Sequence, residues 1–281
     1  MKFCRFSYID GISSILYAWI IMSVALSHVP KVSPPAAIAL RLDGVTKRHG
    51  EGEDAVVALD ALSLTVGAGE FVCVVGASGC GKSTMLSLVA GLDTPSAGGV
   101  HVSGGRPALM FQDSALFPWL TVEENVAFPL QMQGVPRGER KRKVAELLEM
   151  VHLGQFARRR PHELSGGMRQ RVALARALAQ QAELLLMDEP FAALDAMMRD
   201  HLHTELESLW QKTGKTIVFV THNVREAVRL GDRVVLLSSR PGRLLAEYRV
   251  DIERPRRIES TPVARLAAEI TDRLHEAARH G

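Results

Sequence analysis

The residues with the most chemical content lie in one unbroken stretch. Gly76-Ala77-Ser78-Gly79-Cys80-Gly81-Lys82-Ser83, followed by Thr84, fits G-x-x-x-x-G-K-[ST]. The glycines let the backbone turn sharply and bring its N–H groups against a phosphate. A helix that starts directly after the loop aims unpaired N–H groups and its positive dipole end at the same anion. Lys82 adds a mobile point charge for β- and γ-phosphates, and the Ser83 hydroxyl suits Mg²⁺. Asp188 and Glu189 form a second feature, closing the apolar run Leu184–Met187. In an extended segment adjacent side chains point to opposite sides. Asp188 can then face the metal through water, while Glu189 faces a water in line with the γ-phosphate as general base or positioner. Ser165-Gly166-Gly167 is a second glycine-bearing helix start, hence a second anion site as well as a plain serine N-cap. One triphosphate does not need two such cradles from one chain.

The elements that must hold these groups alternate. Phe71–Val75 is a β-branched apolar run in front of the loop, and Met85–Ala90 reads as the helix behind it. Ala37–Leu42 and Ala61–Val66 read as strands, with Leu62, Leu64 and Val66 alternating; His49–Asp54 is the loop between them. Val100–Val102 and Ala108–Phe111 are further strands, and Gln112 follows the second at once. Thr121–Gln133 is helical in part, with Pro129 limiting it. Glu139–Val151 puts Val144, Leu147, Leu148 and Val151 on one helical face. A helix opens at Leu164 and runs to Gln180, and a long one covers Leu194–Lys212. Strand Thr216–Val220 ends at Thr221-His222 and precedes helix Val224–Leu230; Arg233–Leu237 and Leu244–Val250 are late strands. Thr261-Pro262 starts a last helix with Val263, Leu266, Ile270 and Leu274 inward. The alternation predicts an α/β fold with a largely parallel sheet, interrupted by a nearly all-helical block from Ser114 to Gln180.

The chain has 281 residues, enough for one large domain or two small ones, and its 47% hydrophobic content supplies a core. A net charge of +3 does not call for nucleic acid, and 5% aromatics argue against a base-stacking platform. Cys4, Cys73 and Cys80 have no metal spacing, which fits a reducing compartment. Cys80 is expected to be a bystander in the loop, though a thiol reagent could reach it unless a bound nucleotide shields it. Residues 1–36 stand apart. Lys2 and Arg5 precede the weakly apolar stretch Ile12–Val29, and Pro30, Pro34 and Pro35 form a linker. Three readings stay open: a signal peptide ending near Ala25-Leu26-Ser27, a single anchor of marginal length, or an upstream start that is dispensable, with Met22 as the internal methionine. One such segment cannot build a translocation path. The basic runs Arg137–Lys143 and Arg158–Arg160 read as solvated surface or as a contact to anionic lipid headgroups. Leu116, Phe117 and Trp119 read as core. His201 and His203, two apart on a helix, do not face each other.

GASGCGKST, Gln112, LSGGMRQR at Leu164–Arg171, LLLMDEP at Leu184–Pro190, Ala193-Leu194-Asp195 and Val220-Thr221-His222 together resemble an ABC-transporter ATPase subunit over Ala37–Arg257. The resemblance implies a P-loop NTPase fold with an antiparallel N-terminal β subdomain, the ATPase domain at residues 37–257, and a C-terminal helix at 258–281. It implies ATP and Mg²⁺ as ligands, with the metal served by Ser83, Gln112 and Asp188. Glu189 would be the catalytic base and His222 the γ-phosphate switch. Gln112 would also link the metal to a permease contact. Ser165, Gly166 and Gly167 would close on ATP held by a second copy, with Asp195 supporting that interface. The family usually has an aromatic residue, often Tyr, stacking on adenine where His49 stands; this chain offers a smaller imidazole face or a plain loop residue.

Phe117–Val126 and Ser239-Arg240-Pro241-Gly242-Arg243 are similar to the nitrate/sulfonate/taurine importer group. That likeness implies a peripheral subunit on the cytoplasmic face of the membrane. It would work with a separate transmembrane permease, part of whose contact falls on the Leu116–Trp119 stretch, and indirectly with a periplasmic or extracellular substrate-binding protein. The alternative, a soluble ABC protein acting on nucleic acid or ribosomes, usually carries two ATPase units or long coiled coils. A kinase reading leaves LSGGM and His222 without a task.

Overall fold

The computed structural model describes residues 37–50, 52 and 55–279. The readings made for Met1–Pro35, and part of the 49–54 loop, lie outside the described residues. The strands are β1 (Ile38–His49), β2 (Val56–Gly67), β3 (Phe71–Val75), β4 (Ala97–Val102), β5 (Ala108–Met110), β6 (Leu184–Asp188), β7 (Thr216–Val220), β8 (Arg233–Leu237) and β9 (Leu244–Arg249). The helices are α1 (Lys82–Val89), α2 (Val122–Met132), α3 (Arg137–Met150), α4 (Gly166–Ala179), α5 (Ala196–Thr213), α6 (Val224–Leu230) and α7 (Thr261–Arg279). Both N-terminal strands are longer than their apolar patterns suggest. Their outer halves pair antiparallel out to His49↔Val56, with Val45, Ala58 and Leu59 buried along them.

The central sheet runs β5-β6-β7-β3-β8-β9. Its first five strands are parallel and β9 pairs antiparallel with β8. A separate antiparallel sheet, β2-β1-β4, carries the N-terminal strands. The side-chain period of two divides the central strands between two cores. Val72 and Val74, Leu184 and Leu186, and Val218 and Val220 face α1 and the antiparallel sheet. Phe71 and Cys73, Leu185 and Met187, and Ile217 and Phe219 face α2, α4, α6 and α7. Such runs, buried on both faces, are the mark of a parallel sheet covered on each side. Their carboxyl ends lie side by side and deliver the Gly76–Gly81 loop, Asp188 and Thr221 to one edge of the sheet, where open α/β sheets bind ligands.

The helical block holds together through α2, whose start is a capping box: Thr121 Oγ1 accepts from Glu124 N–H and Glu124 Oε2 from Thr121 N–H. Pro129 does not end this helix. It deletes one backbone bond, but Leu130, the next residue, is fully buried, and tertiary packing outweighs the local loss. The Leu116–Trp119 expectation needs a larger correction. Buried Asn125 bonds the backbone of Phe117, Leu120 and Thr121, which fixes a turn with Phe117 half-buried and Trp119 outside, 66% exposed. Phe117 packs against Phe128, with ring centroids 5.1 Å apart, and Arg176 lies over its ring. α7 covers the second core with Val263, Ala267 and Ile270. No helix among the described residues is long and apolar enough to cross a membrane.

Arg256 stitches the C-terminal crossover to the sheet. Its guanidinium, buried, donates to the carbonyls of Ile252, Val228, Arg229, Gly231 and Val250. Burial, followed by repulsion from Arg254, lowers its pKa to about 10, so it stays charged at neutral pH. Arg256→Ala would leave those carbonyls without donors. We expect it to lower unfolding free energy by about 3 kcal/mol, read from the shift of the urea midpoint.

Candidate functional site

The phosphate-type loop begins where β3 ends. Gly79 and Gly81 have φ of +77° and +96°. α1 starts at Lys82 without a side-chain cap or an acidic residue in its first turn, and its first helical bond is Met85 N–H to Gly81 C=O at 2.8 Å. The preceding N–H groups are thus left for an anion. Lys82 Nζ curls back to donate to the carbonyls of Gly76 and Ala77, each at 2.9 Å. At Gly81 a Cβ would stand 2.6 Å from Ala58 O and 2.7 Å from Leu59 Cδ2. Gly81→Ala should therefore displace β2 or the loop. We expect at least about a tenfold rise in nucleotide Kd, checked by titration with a fluorescent ATP analogue.

A cleft of about 650 Å³ opens over this loop, lined by His49, Val56, Ser78, Gly79, Gly81, Lys82, Ser83, Thr84, Gln112, Glu189, His222 and Arg240. That volume suits a nucleotide-sized ligand. The structure therefore brings His49, the loop, Gln112, Glu189 and His222 together. Gly76, Ala77 and Cys80 form the base of the loop. Cys80 is fully buried with its Sγ 3.8 Å from Lys82 Nζ, and burial pushes its thiol pKa up. Its protection from thiol reagents comes from packing, without any nucleotide, which corrects the earlier expectation.

The alternation argument for the two carboxylates also fails at its second residue. β6 ends at Asp188, and Glu189 turns out of the strand with φ +46° while its N–H still donates to Val220 C=O at 2.9 Å. This left-handed turn costs a non-glycine residue about 1–3 kcal/mol. It leaves Glu189 Oε2 3.0 Å from His222 Nδ1. Asp188 stays buried behind the cleft. Burial raises its pKa, a hydrogen bond from Ser83 opposes that, repulsion from Glu189 adds to the rise, and Lys82 lowers it. Ser83, Asp188 and Gln112 offer only oxygen donors of the hard kind. Among the described residues no group of three or more His, Cys, Asp or Glu side chains forms a metal cage. One or two protein oxygens completed by phosphates and water fit Mg²⁺.

Ser165, Gly166, Gly167 and Asp195 stay out of this cleft. Ser165 caps α4 by accepting from Met168 N–H, and Asp195 caps α5 by accepting from Met198 N–H at 2.9 Å. Ser165 and Gly166 are exposed, and Gly167 packs against Ala193 and Leu194. Arg240 enters the sequence analysis only within the Ser239–Arg243 likeness and not as a residue of the site. It reaches the cleft from the β8–β9 hairpin and donates through Nε to Gly79 O at 3.5 Å. Only the hairpin's place beside β3 reveals it, and no local pattern does. His201 and His203 indeed part company: His201 meets His152, and His203 meets Glu226.

A model of the ABC transporter family matches residues 59–192, and a model of the P-loop domain of ABC ATPases matches residues 157–255. The taurine import ATP-binding protein TauB of Burkholderia pseudomallei is 50% identical over 207 residues, 71% of this chain and 80% of that one. The chain belongs to the ABC transporter ATP-binding family. This ABC subunit is an ATPase with the P-loop fold. The nitrate import ATP-binding protein NrtD of Synechocystis is 47% identical to it over 204 residues, 70% of this chain and 77% of that one. An ATP-binding cassette solved as a dimer in a post-hydrolysis state with ADP and Pi is 35% identical, with a TM-score of 0.70 over 76% of this chain and all of its own.

Proposed function

We propose that this subunit powers uptake of a small anion, of the taurine, sulfonate or nitrate class, through a separate permease at the cytoplasmic face of a membrane. The observation that carries the mechanism is the 3.0 Å contact between Glu189 and His222 at the mouth of the cleft. ATP lies with its phosphates on the Ser78–Thr84 backbone and on Lys82, and its base toward His49 and Val56. Ser83 and Gln112, with Asp188 acting through water, would hold a Mg²⁺ ion, which would supply charge neutralisation for the phosphates. Glu189 accepts a proton from a water in line with the γ-phosphorus. The new P–O bond forms as the bond to the β–γ bridging oxygen breaks, giving ADP and phosphate. His222 holds the Glu189 carboxylate and reaches the γ-phosphate from its other face.

The site is incomplete in one copy. The side chain of His222 is 62% exposed, and Ser165 and Gly166 present an exposed helix tip. A head-to-tail pair sets each tip, braced by Asp195, on the nucleotide of the other copy. The relatives' import names support the anion reading, and the dimer found for the related cassette supports the pairing. Closure is passed on through Gln112. Beside it a groove of about 660 Å³, with Leu92, Phe111, Phe128 and Met132 among its lining residues, fits an apolar permease helix. A substrate-binding protein on the far side delivers cargo. The domain division is residues 1–36, 37–257 and 258–281.

The test is reconstitution with the co-purified permease in vesicles, following labelled taurine and nitrate. Uptake that needs ATP and releases phosphate with no phosphorylated acceptor is expected. Release of phosphate without uptake of either anion would overturn the cargo reading.

A further inference from the structure

Behind the Glu189–His222 pair lies a buried polar chain. His203, on α5, has no exposed surface. Its Nε2 is 2.7 Å from Glu226 Oε1 and its Nδ1 is 2.6 Å from Arg229 Nη1. A guanidinium carries only donors, so Nδ1 accepts, the ring proton sits on Nε2, and Nε2 donates to Glu226. The other Glu226 oxygen accepts from the Thr221 hydroxyl, whose oxygen accepts from Asn223 N–H at 3.0 Å. The turn that carries His222 is therefore tied at both of its flanking residues to one imidazole.

The same imidazole reaches the other half of the pair. Phe191, two residues beyond Glu189 and itself buried, meets the His203 ring edge-on with centroids 5.1 Å apart. A small cavity of about 50 Å³ separates the two segments and is lined by Glu189, Phe191, Thr221, His222 and Glu226. Arg229 also reaches Thr204 at 3.2 Å and Asp200 at 3.4 Å, which anchors the chain of bonds to α5.

We infer that His203 is a positioning residue for ATP hydrolysis. Its ring braces the segment after Glu189 through Phe191 and the His222 turn through Glu226 and Thr221, and so holds the carboxylate and the imidazole at their 3.0 Å separation. The inference rests on the roles proposed above for Glu189 and His222. His203→Leu keeps volume against Phe191 but removes both polar links. His203→Gln can accept from Arg229 and donate to Glu226 with its amide.

The test is steady-state hydrolysis by the full chain. His203→Leu should lower kcat roughly tenfold or more with KM for ATP unchanged within about twofold, because geometry at the reacting centre is lost and binding is not. His203→Gln should recover most of that rate. In a His222→Ala background, His203→Leu should add no further loss, since it acts through the same pair. Thr221→Val, with Thr221→Ser as its rescue, gives the same test if His203→Leu does not fold. Normal kcat in both His203→Leu and Thr221→Val, or losses that multiply with that of His222→Ala, would overturn the brace while leaving the site reading intact. Normal turnover by Glu189→Gln and His222→Ala would overturn the site reading, and the brace with it.

Discussion

Glu189→Gln should stop steady-state hydrolysis while ATP still binds. The amide keeps the volume and the contact to His222 but cannot take the proton from the attacking water. A loss of about 10²- to 10⁴-fold in kcat is the scale for a positioned general base. Because the φ of +46° at this residue is imposed by the turn after β6, the substitution leaves that backbone strain as it was. With ATP bound and not consumed, the pair of copies should stay closed, so size-exclusion chromatography in ATP and Mg²⁺ should show a dimer for Glu189→Gln and mainly monomer for the parent chain. A variant that turns over within a few-fold of the parent would remove Glu189 from the role of base.

Lys82→Ala acts one step earlier. Lys82 is nearly buried, and its ammonium already bonds the Gly76 and Ala77 carbonyls at 2.9 Å, so it is organised before any phosphate arrives. Charge-assisted hydrogen bonds contribute about 1.5–3 kcal/mol each, which puts the loss of affinity at roughly ten- to hundredfold or more. Lys82→Arg should not rescue it. The planar guanidinium cannot sit between those two carbonyls as a compact point charge does. Equilibrium titration with a fluorescent ATP analogue checks this, alongside a melting curve to show that the loop still folds. An unchanged Kd would take Lys82 out of the site.

The parts legible in the sequence are those whose cause is local. Phe71–Val75 with its glycine loop, the serine cap at Ser165 and the apolar strand before Asp188 each carry their own reason in adjacent residues. Glu189 shows where that stops. A strand pattern says nothing of the residue that leaves the strand, and here the backbone turns to positive φ although its N–H keeps the ladder bond to Val220 on the neighbouring strand. Burial of Leu130 against other elements carries the helix past Pro129, while Trp119 is turned outward by side-chain-to-backbone bonds of Asn125 that an apolar pattern does not register. Arg240 and His203 reach the site across more than a hundred residues or through two other side chains, so no window of sequence could place them.

The central claim is that one nucleotide is held by the loop of one copy and by the Ser165 helix tip of another. Cys73 and Cys80 are buried, so added surface thiols can be addressed separately once Cys4 is replaced by serine. Full-length chains bearing Ser78→Cys and chains bearing Ser165→Cys, mixed with Mg²⁺ and a non-hydrolysable ATP analogue, should form a disulfide-linked heterodimer under mild oxidation. The cross-link should be strong with the analogue and weak without nucleotide or with ADP. If no nucleotide-dependent cross-link forms, in the presence of the permease as well, while the parent chain hydrolyses ATP as a monomer, the account is contradicted.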